Sequence, residues 1–203
     1  MQKNRKLIIL ISGTPGTGKS TISTYLSKIL SAKYIDVGKF AVMEKLYSSY
    51  DEDRQSFIVD IERLQKRLKE IIEEEGNDII LDTHIVDVVP SNYVDFVIIL
   101  RTDPRILEKR LQKKGYPKKK VKENVQAEIL GTCTYHAVNY YGKDRVYELD
   151  TSLINVDTII RQILEIINGK GTKYRVGRID WLEILEKSNL LRKYFEDGEE
   201  NCA

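Results

Sequence analysis

Short apolar runs without polar alternation recur along the chain. Such runs are typical of strands buried on both faces of a sheet. The predicted strands occupy residues 7–12, 33–38, 78–82, 95–100 and 145–149. The first follows a basic start, "MQKNRK", and runs directly into a glycine loop, so we interpret it as a strand rather than a secretion signal.

Between these runs, apolar residues recur every three or four positions, as on one face of a helix. Helices are predicted over residues 19–30, 56–76, 103–114, 121–141 and 156–169. The fourth is interrupted or bent near Gly131, and Asp103 is the expected N-cap of the third. Strands that alternate with helices predict an α/β fold, with a five-stranded parallel sheet between two helical layers.

The last part of the chain has a different pattern. Residues 169–177 read as a linker, and an amphipathic helix is predicted over 179–195. We therefore divide the chain into a domain over 1–170 and a linker with a helical extension over 171–203. The apolar stripe that includes Trp181 predicts docking on the domain, and binding to a partner is the alternative.

Composition excludes some classes of function. The 203 residues carry a net charge of +2, which does not by itself indicate a nucleic-acid partner. No apolar run approaches the roughly 20 residues that span a bilayer, so no membrane role is expected. Cys133 and Cys202 follow no metal-binding spacing, and two free thiols suit a reducing, cytoplasmic location.

The stretch "GTPGTGKST" (13–21) satisfies the phosphate-loop pattern G-x-x-x-x-G-K-[ST] between a predicted strand and a predicted helix. Glycines let successive backbone N–H groups point inward at an anion, and the following helix adds its positive end. Lys19 is expected to neutralise the terminal phosphates, and the Ser20 hydroxyl to bind Mg²⁺. ATP is favoured over GTP because the base-reading pattern N-K-x-D is absent.

A second candidate element is "LDTH", which places Asp82 at the end of a buried strand. A carboxylate there can reach the Mg²⁺ shell. His84 lies two residues further and faces the same side if the extended geometry persists, where it would position a nucleophile. From the spacing alone, His84 can equally be a loop residue that bonds to a neighbour. His136, among several tyrosines, is interpreted as a packing residue.

The motifs "GTPGTGKST", "KYIDVG", "LYSSYDED" and "LDTH", followed by "RTDP" and "ENVQAEI", stand in order from 13 to 130. In this order they resemble the adenylate kinase isoenzyme six family, whose yeast and archaeal members act in small ribosomal subunit maturation. The resemblance implies a P-loop nucleoside monophosphate kinase fold. It also implies a monophosphate-binding segment over 36–60, a lid over 113–123, and AMP as the acceptor.

The resemblance also implies roles for individual residues. The expected catalytic residues are Lys19, Asp82, His84 and Arg110. The expected ATP-binding residues are Gly13, Gly16, Thr17, Gly18, Lys19, Ser20, Thr21 and Lys114. The expected Mg²⁺ ligands are Ser20 and Asp82. Two positions depart from the family pattern: Lys114 and Val42 stand where many or some relatives have arginine.

Residues 101–122 carry ten Lys or Arg against two acidic residues. Arg110 is the expected contact to the transferred phosphate, with Lys114 one helical turn further. The lysine run 118–120 can instead be a solvated face or an RNA-backbone contact.

The sequence leaves two main functions open. The first is phosphoryl transfer from Mg·ATP to a nucleoside monophosphate, with accompanying ATPase activity. The second is an ATPase switch in ribosome assembly that acts with a small-subunit ribosomal protein or rRNA and has little kinase activity. A small-metabolite kinase of the shikimate type is a weaker alternative, because kinases of that type lack the family's lid and D-x-H pattern. A non-catalytic RNA-binding module is also a weaker alternative, because it does not need an intact phosphate loop.

Overall fold

The computed structural model describes residues 6–52 and 55–195. The strands are β1 Ile8–Ser12, β2 Lys33–Asp36, β3 Tyr47–Asp51, β4 Ser56–Val59, β5 Ile79–Asp82, β6 Phe96–Arg101 and β7 Val146–Asp150. Five of them form one parallel sheet in the order β2-β5-β1-β6-β7. β3 and β4 form a separate antiparallel hairpin. The predicted five-stranded parallel sheet is confirmed.

Helices cover both faces of this sheet. They are α1 Lys19–Leu30, α2 Val37–Met43, α3 Ile61–Glu74, α4 Pro104–Lys113, α5 Lys118–Ile129, α6 Thr132–Tyr141, α7 Val156–Glu165, α8 Trp181–Lys187 and α9 Leu191–Phe195. α1 and α7 pack on one face, and α3 and α6 pack on the other. The three-layer α/β sandwich expected from the sequence is therefore confirmed. Among the described residues, no helix is both long and apolar enough to cross a bilayer.

The sheet order places one crevice at the carboxyl ends of its strands. β1 is central, with β5 on one side and β6 on the other, and the chain crosses from one half of the sheet to the other around it. Ile11 pairs with Asp82 on β5, and Ser12 pairs with Ile99 on β6. In parallel α/β sheets, ligands bind at this reversal of strand order.

The prediction of a helix over 56–76 is wrong for its first five residues. Residues 56–59 form β4, and Phe57 packs its ring on Tyr47 and Tyr50 of β3. α3 begins only after Asp60, whose side chain accepts a hydrogen bond from the Arg63 N–H and so caps the helix. Aromatic and β-branched residues favour a strand once a partner strand is available. The described residues of the segment 36–60 thus form α2 and the β3–β4 hairpin.

The C-terminal extension is two short helices rather than the single helix predicted over 179–195. The break falls at Asn189, which has a φ of 55°. The docking predicted for this segment is confirmed, because Trp181 is buried and Leu185 and Tyr194 pack against α4 and α5. The predicted break at Gly131 is also confirmed, between α5 and α6 with a φ of 63°.

A buried ion cluster joins β6 to the helical layer. Arg101 donates to the Glu128 carboxylate at 2.7 Å and to the Glu148 carboxylate at 2.5 Å, and all three side chains are almost fully buried. Burial disfavours the charged guanidinium, but the charges of Glu128 and then Glu148 outweigh it and raise the pKa of Arg101. Arg101 therefore belongs to the core and not to the phosphate-binding surface.

We expect Arg101→Leu to lower the free energy of unfolding by about 3–5 kcal/mol, because it leaves two buried carboxylates without their cation. Urea denaturation measures this loss. The matched control is Arg105→Leu, which removes a half-exposed partner of Asp103 and should cost under about 1 kcal/mol. Equal losses in the two variants would contradict the central role of the buried cluster.

Candidate functional site

The loop between β1 and α1 presses closely on its neighbours. Gly13 has a φ of 140°, and a side chain there would place its Cβ 2.4 Å from the Leu100 carbonyl oxygen. Gly16 has a φ of 96°, and its Cβ would lie 2.9 Å from Leu107 Cδ1 on α4. Both positions require glycine for backbone conformation and for space. The loop is thereby fixed against β6 and α4.

Side chains from distant elements brace the loop further. Thr151, just after β7, donates its hydroxyl to the Thr17 carbonyl oxygen at 2.8 Å. The Thr14 hydroxyl donates to Glu128 on α5 at 2.6 Å, and Thr17 donates its hydroxyl to the Thr14 carbonyl at 2.9 Å. Because its hydroxyls and carbonyls are held from outside, the loop keeps a defined backbone conformation, as an anion nest requires.

Lys19 reaches back over this loop. Its ammonium donates to the Gly13 carbonyl at 2.8 Å and to the Thr14 carbonyl at 3.2 Å. Burial lowers the pKa of Lys19, and the charge of Asp82 partly offsets this effect. The Lys19 ammonium therefore lies over the loop, where two loop carbonyl groups accept its hydrogen bonds.

Three oxygen-bearing side chains meet beside Lys19. The Tyr34 hydroxyl, on β2, donates to Asp82 Oδ2 at 3.1 Å, and the Ser20 side chain is close enough to influence the pKa of Tyr34. Burial, and then the charge of Asp82, raises the pKa of Tyr34 to about 12. A hydroxyl and a carboxylate from separate elements form an oxygen donor set of the kind that Mg²⁺ prefers. The chemistry of Ser20 and Asp82 thus fits the ion.

His84 lies beyond the end of β5, in the loop that follows Asp82. One face of the residue is open to solvent at the edge of a cavity of about 500 Å³. The surrounding protein, and then the charges of Lys19 and Lys120, lower the pKa of His84 to about 4. Both effects disfavour the imidazolium, so the imidazole of His84 is neutral at pH 7.

The cavity beside His84 lies between the 84–87 loop and α6. Besides His84, its wall includes Asp87, Cys133, His136 and Tyr140. His136 is exposed to solvent, so it does not pack in the core, and packing at an interface stays a prediction. The buried aromatic residue of this helix is Tyr141, one turn and a residue further along.

A second cavity, of about 260 Å³, lies on the opposite side of the phosphate loop. Gly16, Gly18 and Thr21 form one wall, and Ile154 and Arg110 contribute to the rest. The Arg110 guanidinium donates to the carbonyls that follow β7, at Thr151 (3.0 Å) and Ser152 (3.2 Å). Arg110 therefore lies at the end of the loop that is remote from Asp82 and His84.

The predicted lid over 113–123 comprises the end of α4, a short connection over 114–117 and the first turns of α5. Lys114 ends α4, and its charge contributes to the lowered pKa of Lys19, which places the two ammonium groups near each other. Lys120 lies over the Tyr116 ring at 5.1 Å. Asp36, Lys39 and Met43, from the first part of the segment 36–60, line a cavity of about 690 Å³ between β2, α2 and α3.

The structure thus brings Lys19, Ser20 and Asp82 together, with His84 and Lys114 nearby and Arg110 apart. Sequence reasoning missed two supports of this cluster, Tyr34 and Glu128. Tyr34 stands in the motif "KYIDVG" that was noted for its family resemblance. Glu128 stands in the motif "ENVQAEI", but the sequence does not indicate its contact with the loop, because its partner Thr14 is 114 positions away.

Comparison with known proteins agrees with this architecture. A family model described as "AAA domain" matches residues 9–131. Among solved structures, shikimate kinase from Bacteroides thetaiotaomicron is similar, with a TM-score of 0.55 and 15% identity over 80% of this chain and 98% of that one. Thymidylate kinase from Candida albicans has a TM-score of 0.53 and 21% identity, over 81% of this chain and 92% of that one. At these identities the likeness shows the fold alone.

Relatives found by sequence have higher identities to this chain than these solved structures. A protein of Methanocaldococcus jannaschii named "Putative adenylate kinase" is 43% identical over 175 residues, which cover 86% of this chain and 93% of that protein. A protein of the same name from Thermococcus onnurineus is 36% identical over 181 residues, 89% and 94% of the two chains. The chain therefore belongs to the AAA-domain family of P-loop proteins, together with these archaeal relatives.

Proposed function

We propose that this protein transfers the γ-phosphoryl group of Mg·ATP to a nucleoside monophosphate, and that AMP is the preferred acceptor. The observation that carries the proposal is the meeting of Lys19 and Ser20 with Asp82 at the carboxyl edge of the sheet. The name of the archaeal relatives supports the same activity and acceptor. We place the chain in the isoenzyme six branch on its sequence motifs.

Transfer breaks the bond between the γ-phosphorus and the oxygen that bridges to the β-phosphate, and forms a bond from an acceptor phosphate oxygen. With AMP, the two products are both ADP. The acceptor oxygen is already ionised, so the step requires no general base. Lys19 and the loop N–H groups of 13–18 stabilise the charge on the moving group. Mg²⁺, held by Ser20 and Asp82, supplies further charge neutralisation when bound.

The adenosine end of ATP is proposed to occupy the 260 Å³ cavity beside Gly16, Thr17 and Thr21. The acceptor is proposed to bind on the other side, against the segment 36–60. There Lys39 forms an ion pair with Asp36 at 3.0 Å, and Val42 is partly exposed where some family members carry arginine. The segment therefore offers less positive charge to a monophosphate than in those members. Lys114, in the lid 113–123, adds charge near Lys19.

A second candidate function is ATP hydrolysis as a switch in small ribosomal subunit maturation, in the cytoplasm, with a ribosomal protein or rRNA as the partner. The neutral imidazole of His84 near Lys19 favours the hydrolytic activity, because such a group can accept a hydrogen bond from an attacking water. Hydrolysis would yield ADP and phosphate, with the proton of the water passing to His84. The ribosomal partner rests on the family resemblance.

To test the acceptor, ADP formation from Mg·ATP is measured with and without AMP, CMP, GMP and UMP. We expect AMP to stimulate turnover, with two ADP formed per ATP consumed. Lys19→Ala should lose at least about a hundredfold in rate, because one preorganised cation is removed from the transition state. His84→Ala should retain the AMP-dependent transfer and lose the slower hydrolysis.

The matched control for His84 is His136→Ala. The chain has two histidines, and both border the same cavity, but His136 lies on α6, away from Asp82. It should leave both rates unchanged. If no monophosphate stimulates turnover, and a slow hydrolysis disappears with His84, the monophosphate kinase proposal is wrong and the ATPase switch replaces it.

The position of Arg110 gives a separate prediction. Since its guanidinium lies at the nucleoside cavity, Arg110→Lys should raise the KM for ATP about threefold to tenfold and change kcat little, because a lysine cannot bind both carbonyls after β7. Arg105→Lys, on the same helix but paired with Asp103, is the control and should change neither. A fall in kcat with unchanged KM would instead support contact with the transferred phosphate.

A further inference from the structure

One buried carboxylate connects the C-terminal extension to the phosphate loop. Glu128, which is 1% exposed, accepts hydrogen bonds through Oε1 from Arg101 Nε at 2.7 Å, Thr102 N at 3.1 Å and Trp181 Nε1 at 3.1 Å. Its other oxygen, Oε2, accepts from the Thr14 hydroxyl at 2.6 Å. The same side chain thus contacts the extension and the loop.

The indole of Trp181 is held in place by the rest of the extension. Asp180 caps α8, and Leu185 is buried against α4 and α5. Tyr194 of α9 is buried in the same cluster, and its carbonyl accepts a hydrogen bond from Gln126 of α5 at 2.7 Å. The position of the indole N–H is therefore set by the docking of two helices.

The other end of the connection reaches the proposed ATP site. The Thr14 carbonyl accepts from Lys19 at 3.2 Å and from the Thr17 hydroxyl at 2.9 Å, while its hydroxyl is held by Glu128. A rotation of the Glu128 carboxylate would release the Thr14 side chain. The change would then reach the phosphate loop through a residue that contacts Lys19.

We propose that Trp181 is a positioning residue of the phosphate loop. Its N–H holds the Glu128 carboxylate in the orientation that accepts from Thr14, so docking of the extension and binding of nucleotide phosphates stabilise each other. Such a coupling is reciprocal by thermodynamic necessity. The proposal rests on the nucleotide binding proposed above. It gives the extension a role in the site, although the hydrogen bonds that link the extension to the loop pass through Glu128.

The test is a double-mutant cycle read by calorimetric ADP binding. Trp181→Phe removes the N–H donor and keeps an aromatic ring, and Thr14→Val removes the hydroxyl at similar size. We expect Trp181→Phe to weaken ADP binding about fivefold, at the low end of coupling between linked sites. In the Thr14→Val background, the same change should have no further effect, because the connection is already broken. Additive effects, or an unchanged affinity in Trp181→Phe, overturn the proposal.

The matched control is Ile184→Ala, on the same helix α8 but 39% exposed and outside the buried cluster that fixes the indole. Measured well below the unfolding temperature of every variant, it should bind ADP within about twofold of wild type. A loss as large as that of Trp181→Phe would show that general docking matters and not the indole N–H. Failure of the proposed function is distinguished by the wild-type protein, compared with Lys19→Ala, which lacks the phosphate-binding lysine. If the wild-type protein does not bind ADP, the proposed function itself is wrong.

A second measurement does not require the Trp181 variant to fold. Trp181 is the one tryptophan of the chain, so its fluorescence reports on the environment of its own indole. We expect saturating ADP to change the emission of the wild-type protein and to leave that of Thr14→Val unchanged. An emission that does not respond to ADP in the wild-type protein, when calorimetry shows binding, overturns the proposal.

Discussion

A carboxylate buried at the centre of a protein must accept hydrogen bonds from nearby donors, because an unpaired buried charge costs more free energy than most other local interactions contribute. Here the donors to Glu128 come from β6, the loop after it, the phosphate loop and the C-terminal extension. The position of each of these segments is therefore tied to the others. A second carboxylate, Glu148, extends the cluster to the chain just before α8 through the Gly177 N–H at 3.0 Å.

This cluster separates two kinds of charge in the molecule. Arg101 is paired with two carboxylates in the core, whereas Lys19 and Lys114 lie near each other at the phosphate loop. The stretch over 101–122 looks uniformly basic in sequence, yet Arg101 and Arg105 are paired with carboxylates and Arg110 with main-chain carbonyls. Local charge alone therefore overstates the positive potential available to a ligand, and burial decides which cations contribute.

The sequence predicted the features that depend on neighbouring residues. The buried strands, the glycine loop and the cap at Asp103 are local patterns, and each is found where expected. The strand over 56–59 was missed because it exists only through pairing with 47–51, and a helical period continued through it by chance. Which residues surround the loop was less predictable still, since Glu128 lies 114 positions from its partner Thr14 and Tyr34 lies 48 positions from its partner Asp82.

The same packing sets the boundaries of the predicted lid. α4 and α5 enclose the connection over 114–117, and both are covered on their outer side by Leu185 and Tyr194 of the extension. Their inner side is tied to the phosphate loop through Leu107 and Glu128. Helices fixed on two sides move little relative to the sheet, because tightly packed interfaces do not deform continuously. We therefore propose that closure of the proposed lid over a nucleotide is concentrated in the connection itself, where Gly115 has a φ of 74° and Lys114 caps the end of α4.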